Sequence, residues 1–135
     1  MSEPIIFDTS VLVDELRAGF HRQRFAAITG LIRFSSVVLA ELWRGAGSAS
    51  ERKFLQSLAG NRPILTPTEK NWLESGRILR EMAADLGFTP PKLRGLQFDV
   101  LIALTARSHG ARVITSNRTD FELIRRYRKF ELEVW

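Results

Sequence analysis

Short apolar runs alternate along the chain with stretches of helical period. Pro4 to Phe7, Leu31 to Ser35, Ile64–Leu65 and Arg112 to Thr115 read as strands. Phe130, Leu132 and Val134 alternate with Glu131 and Glu133, the pattern of a half-exposed edge strand. After the first strand, Val11, Leu12, Val13 and Leu16 follow a helical spacing that stops at Gly19, and a second short helix is expected over His21 to Ile28. Ser36 is expected to cap a helix over Val37 to Arg44, ended by Gly45. Ser48 and Glu51 have capping-box spacing ahead of Phe54, Leu55 and Leu58, with Gly60 as the stop. Thr66-Pro67-Thr68-Glu69 reads as a second box with proline at the first helical position. Trp72, Gly76, Leu79, Ala83 and Leu86 then form one stripe of a 3.6 period, closed by Gly87. Phe88 to Phe98, with Pro90-Pro91 and Gly95, reads as a loop. The apolar run from Asp99 to Gly110 reads as a buried helix, Ser116 to Asp120 as a polar turn, and Phe121 to Arg126 as a short helix.

This alternation predicts an α/β fold: one domain over residues 1–135, with a parallel five-stranded sheet covered by helices on both faces. Right-handed crossovers make each helix run antiparallel to its strand, which gives the acids a place. Asp8 lies just past the carboxyl end of the first strand. Glu41 lies in the second turn of the helix after the second strand. Asn117 and Asp120 follow the fourth strand, and Asp99 opens the helix that leads into it. All five fall at the sheet edge where open α/β sheets bind ligands. Singly, each acid has a plainer reading: Asp8 and Asp99 as helix caps, Glu41 as a solvated helix residue, Asp120 as a turn residue. Together they would repel one another, and a divalent cation would remove the conflict.

Composition narrows the chemistry. The chain has no cysteine, which excludes disulfides and thiolate metal sites and fits a cytoplasmic protein. Oxygen ligands without a histidine cluster favour Mg²⁺ or Mn²⁺ over zinc. No apolar run is long enough to span a bilayer, and MSEPII lacks the features of a secretory signal. A net charge of +5 suits a polyanionic partner such as nucleic acid. His21 and His109 have no second histidine at ligand spacing, and His109 before Gly110 fits a helix C-terminus. The run Arg125 to Lys129 reads either as a phosphate contact or as a solvated basic face.

IIFDTSVLVDELR from Ile5, SSVVLAELWRG around Glu41, FDVLIALTARSHGARVITSNRTDF from Phe98 and the final strand together resemble PIN-domain proteins. The resemblance is specifically to the VapC-like toxin ribonucleases of bacterial type II toxin–antitoxin modules, and it covers the full length. It implies an Mg²⁺- or Mn²⁺-dependent endoribonuclease, with Asp8, Glu41 and Asp99 matching the principal acids. The fourth ligand is either Asn117, where many relatives carry Asp, or Asp120. Thr9 and Thr115 match hydroxyl positions that shape such sites. The resemblance further implies a VapB-like antitoxin partner, whose C-terminal segment fills a groove between helices. Trp43 and the stripe from Trp72 are expected in the core or in a homodimer contact. Two rivals stand beside this reading. A phosphoacceptor or haloacid-dehalogenase-type domain is disfavoured because Phe7-Asp8-Thr9 lacks a close acidic pair. A catalytically weak PIN-like module that binds nucleic acid or protein is kept open by Asn117.

Overall fold

A computed structural model describes residues 3–19 and 21–135. Strands β1 (Pro4–Phe7), β2 (Leu31–Ser35), β3 (Ile64–Leu65), β4 (Arg112–Thr115) and β5 (Glu131–Val134) form one sheet in the order β3-β2-β1-β4-β5. Every pairing is parallel, as expected. Strand order reverses between β1 and β4, so a crevice opens where their carboxyl ends diverge.

The helices are α1 (Thr9–Ala18), α2 (Arg22–Ala26), α3 (Ser36–Gly45), α4 (Ala49–Leu58), α5 (Glu69–Leu86), α6 (Pro90–Ser108) and α7 (Arg118–Tyr127). Side chains alternate across the strands and divide the core between two faces. Ile6 and Val113 enter the larger layer, packed with Val38, Ile78, Met82, Leu101 and Phe121 from the helices. Ile5, Phe7 and Ile114 face the other way, onto Val11, Phe25 and Trp135. No helix among the described residues is long and apolar enough to cross a membrane.

The structure corrects the sequence reading most strongly between residues 88 and 98. The expected loop is the first half of α6. Pro90 and Pro91 occupy its first turn, where the missing amide donors have no intrahelical partner to lose. Gly95 lies on the exposed side, while Leu96 and Val100 are buried. Asp99 is therefore an interior helix residue rather than a cap.

Smaller corrections concern helix starts and faces. The cap of α3 is Ser35, whose hydroxyl accepts from the amides of Val37 and Val38, rather than Ser36. Thr66 caps nothing; its Oγ1 accepts from Ser36 Oγ at 2.8 Å, and the reciprocal box at the start of α5 joins Thr68 and Asn71. Only the forward half of the Ser48–Glu51 box forms, because the Glu51 carboxylate accepts from Gly47 N instead. The buried stripe of α5 is Asn71, Ser75, Ile78, Leu79 and Met82, one residue out of step with the expected one. Polar Asn71 and Ser75 sit inside because each is satisfied locally, by Ser108 and by the Trp72 carbonyl. Trp72, at 49% exposure, and Trp43, at 41%, are thus not core. α2 is shorter than expected, and α7 begins earlier, at Arg118, with Asn117 as its cap.

Two glycines test these placements. A Cβ at Gly95 would meet no atom within 4 Å, so Gly95→Ala should stabilise the chain by about 0.5–1 kcal/mol in urea unfolding. A Cβ at Gly30 would come within 2.3 Å of Ile5 Cδ1 and 2.9 Å of the Glu3 carbonyl oxygen. Gly30→Ala should therefore cost roughly 1–3 kcal/mol in the same measurement.

Candidate active site at the carboxyl edge of the sheet

Phe7 is the last residue of β1, and Asp8 emerges into the crevice beside β4, its amide donating to the Ile114 carbonyl at 2.9 Å. Asp8 is 3% exposed. It occupies the cap position of α1, yet its carboxylate makes no capping bond of proper geometry. Its Oδ2 instead accepts from Ser10 Oγ and from Thr115 Oγ1, both at 2.8 Å. The capping interpretation thus fails for Asp8, and the strand end holds this carboxylate for the crevice. Burial raises its pKa; the two hydroxyls and the nearby amides of Thr9 and Ser10 pull it back.

Glu41 projects from the second turn of α3, as expected. Thr9 Oγ1 donates to its Oε1 at 2.8 Å, which ties α3 to the start of α1. Its pKa is raised, first by burial and further by the charge of Asp8, against the pull of Thr9 and Arg44. Arg44 Nη2 lies 4.0 Å from Glu41 Oε2 and is largely exposed, so this contact is weak.

Asp99 faces the same space from within α6, and no hydrogen bond lowers its pKa. Burial, then the charges of Asp8, Glu41 and Asp120, push it up to about 8, against a small opposing pull from Lys92. That one group feels all three others is the clearest sign that the separated acids share one basin. Asp120 joins from the first turn of α7, with Lys92 Nζ 3.9 Å from its Oδ1. Asn117 is engaged as a cap and a strut: Oδ1 accepts from Asp120 N at 3.4 Å, and Nδ2 donates to Asp120 Oδ2 at 3.0 Å. Asn117 therefore orients Asp120 while capping α7.

Among the described residues, no three or more His, Asp or Glu side chains are gathered closely enough to hold a metal ion as they stand. The four carboxylates are instead spread along the carboxyl edge of the sheet, near enough for three of them to act on Asp99. The donor set fits a hard divalent cation: all four charged groups offer oxygen, and Mg²⁺ retains several waters that would fill the distance. Asp99, whose carboxyl no hydrogen bond favours in its ionised form, fits as well, because a bound cation would take the place of its proton.

Three participants were not foreseen from sequence. Ser10 holds Asp8 and also accepts from Ser116 N at 3.1 Å, so it links the ends of β1 and β4. Lys92 was hidden in the supposed loop. His21 is buried beside Trp135, with Nε2 3.6 Å from Asp14 and 3.5 Å from Ser116 Oγ. The Thr-Ser pair after Asp8 was a visible signal for Ser10; no local signal marked the other two.

The family model of the PIN domain matches residues 5–127, and the chain belongs to that family. Among solved structures it is similar to DNA-bound VapBC from Salmonella typhimurium, at 27% identity and a TM-score of 0.72, over 100% of this chain and 99% of that one. VapBC-1 from nontypeable Haemophilus influenzae matches at 22% identity and 0.69, over 98% of each chain. VapBC-5 from Mycobacterium tuberculosis, a member of the VapBC family of toxin–antitoxin systems, matches at 23% and 0.63, over 97% and 96%. The last two likenesses establish the fold alone. No curated protein matches the sequence at comparable significance.

The raised pKa of Asp99 has a direct consequence for stability. Between its ordinary value of 3.8 and about 8, the folded chain binds more protons at Asp99 than the unfolded chain does. Stability from this group is therefore greatest at low pH and is lost as pH rises through about 8. In chelator-treated protein, Asp99→Asn should raise Tm at pH 8.5 by about 2–8 °C and flatten the fall in Tm between pH 6 and 9. Differential scanning calorimetry across that range checks both.

Proposed function

We propose that this protein is the ribonuclease toxin of a toxin–antitoxin pair, cleaving RNA phosphodiesters with Mg²⁺ or Mn²⁺ held at Asp8, Glu41, Asp99 and Asp120. The observation that carries the reading is the placement of half-buried Asp99 within reach of the charges of three other carboxylates. Such an arrangement is relieved either by a proton on Asp99 or by a cation bound among the carboxylates. Membership in the PIN family and the likeness to VapBC from Salmonella typhimurium support the same reading.

Bound there, a divalent cation would supply an activated water and charge neutralisation at phosphorus. The chain's own part is to place the oxygens. Ser10 and Thr115 fix one oxygen of Asp8, Thr9 fixes one of Glu41, and the Asn117 amide fixes one of Asp120. Lys92 stands beside Asp120 and is available to an RNA phosphate. Thr9 and Thr115 are thus positioning residues, and Asn117 acts through Asp120.

The antitoxin belongs to this reading as well. Leu16, Trp43, Phe54 and Phe98 are large apolar side chains that remain exposed on α1, α3, α4 and α6, and a cleft lined by Leu16, Leu42 and Leu55 runs to Glu41. Such a surface suits an apolar segment of a VapB-like partner. A homodimer and a cytoplasmic location complete the reading, with exposed Trp72 and Leu73 on α5 as candidate dimer contacts. The second reading, a binding module without activity, draws on Asn117, which replaces a charge with an amide.

Cleavage assays on a mixed RNA pool decide between the two. Wild-type protein should cut RNA with Mn²⁺ and stop when the ion is chelated. Asp8→Asn and Asp99→Asn should each lose roughly 10²-fold or more while retaining the wild-type circular dichroism spectrum, and Glu41→Gln should lose activity in the same direction. Full metal-dependent activity in both Asp variants would remove the assignment. RNA affinity without Mn²⁺ binding would favour the binding module.

A further inference from the structure

Arg125 to Lys129, a basic run with two readings in the sequence, lines a cavity that the acidic basin does not use. The cavity, of about 760 Å³, lies at the opposite edge of the sheet, where α6 and α7 end and β4 and β5 begin. Arg107, Arg125, Arg126 and Lys129 line it. A second depression of about 490 Å³ lies toward the start of α7, lined by Phe88 and Arg118. The two share Glu122 and Arg126, so they form one trough along the exposed face of α7. Five cations face it against two carboxylates, Glu122 and Glu131. Glu122 is already held by Arg118 at 2.9 Å. Among the described residues, neither Arg125, Arg126 nor Lys129 takes part in an ion pair of the chain.

Helix dipoles account for part of this charge, since cations are favoured at the ends of α6 and α7. They do not account for Arg118, which sits in the first turn of α7, where the dipole disfavours a cation. Nor do they explain continuity with the acidic site. Lys92 lies 3.9 Å from Asp120 and 5.5 Å from the centre of the Phe88 ring, and Phe88 lines the near end of the trough. The path from the carboxylates therefore passes Lys92 and an aromatic ring before it meets the arginines.

We propose that the trough along α7 holds the phosphates of single-stranded RNA next to the scissile bond, from Lys92 to Arg107 and Lys129. The inference rests on the ribonuclease reading for its substrate. Along α7, Arg118 to Tyr127 spans about 14 Å at the rise of an α-helix. At a stacked spacing of about 3.4 Å per phosphate, that is roughly four phosphates. A strand long enough to leave the acidic basin is thus held at several phosphates at once, which an open, unroofed trough suits better than a small enclosed ligand.

Fluorescence anisotropy with the full chain tests this without turnover, in chelator, using labelled single-stranded RNA of 4 and 16 nucleotides. The triple variant Arg125→Ala/Arg126→Ala/Lys129→Ala should weaken binding of the longer strand by about tenfold or more. It should also reduce the slope of log affinity against log salt by about 2. The 4-nucleotide strand, which reaches fewer of the trough's cations, should bind the wild type more weakly and lose less than the longer strand. Arg52→Ala/Lys53→Ala/Arg62→Ala removes the same charge elsewhere and should leave the longer strand within about twofold. Unchanged binding of the longer strand by the trough variant, or equal losses in both triple variants, would overturn the proposal. So would tighter binding of duplex DNA than of RNA at the trough. A wild-type chain that binds RNA through the trough but never cleaves it would remove the ribonuclease reading while supporting the trough.

Discussion

Withdrawal of carboxylates from water at the reversal point of the sheet, reinforced at Glu41 and Asp99 by repulsion, is the constraint on which the rest of this structure turns. Asp8, Glu41 and Asp99 are each driven toward the protonated form, chiefly by burial. A fold gains nothing from that arrangement by itself, because lost hydration is recovered only where hydrogen bonds or opposite charge replace it. The replacements present are modest: three hydroxyls, one distant lysine and an exposed arginine. The apolar layers on both faces of the sheet offset what remains, and strands β1 and β4 fix the basin's floor through them.

Rigid placement and chemical availability are divided between the elements. The strand ends and their hydroxyls hold one oxygen of Asp8 and Glu41, which leaves the other oxygen of each to the crevice. Asn117 does the same for Asp120 while capping α7. Charge is divided in the same way. Four acids gather at one edge of the sheet, and five cations line the depressions along α7 and at the far edge. A polyanion is repelled by the basin alone and held by its surroundings, so the two regions together suit a substrate that needs both a cation and a cradle.

Much of this was legible from residue order. Strand identity followed from short apolar runs, and strand position from crossovers, so Asp8, Glu41, Asp99 and Asp120 could be assigned to one edge without coordinates. What was not legible depended on context. Pro90-Pro91 and Gly95 carry loop signals, yet prolines are harmless in a first turn and Gly95 is tolerated because Leu96 and Val100 anchor the helix. That misreading also hid Lys92. The stripe of α5 was misplaced because Trp and Leu look like core residues, whereas Asn71 and Ser75 go inside by satisfying their own polar atoms. Sequence shows that residue 117 is an amide, not that both ends of that amide engage Asp120.

The central claim is that Asp99 keeps its proton until a cation replaces it. Calorimetric titration of the chelator-treated chain with Mn²⁺ at pH 7, repeated in buffers of different ionisation enthalpy, counts protons released on binding. With Asp99 pushed up to about 8, the account predicts saturable binding with release of about one proton per chain in wild type and much less in Asp99→Asn. Mn²⁺ binding with no proton release, or equal release from wild type and variant, would contradict it.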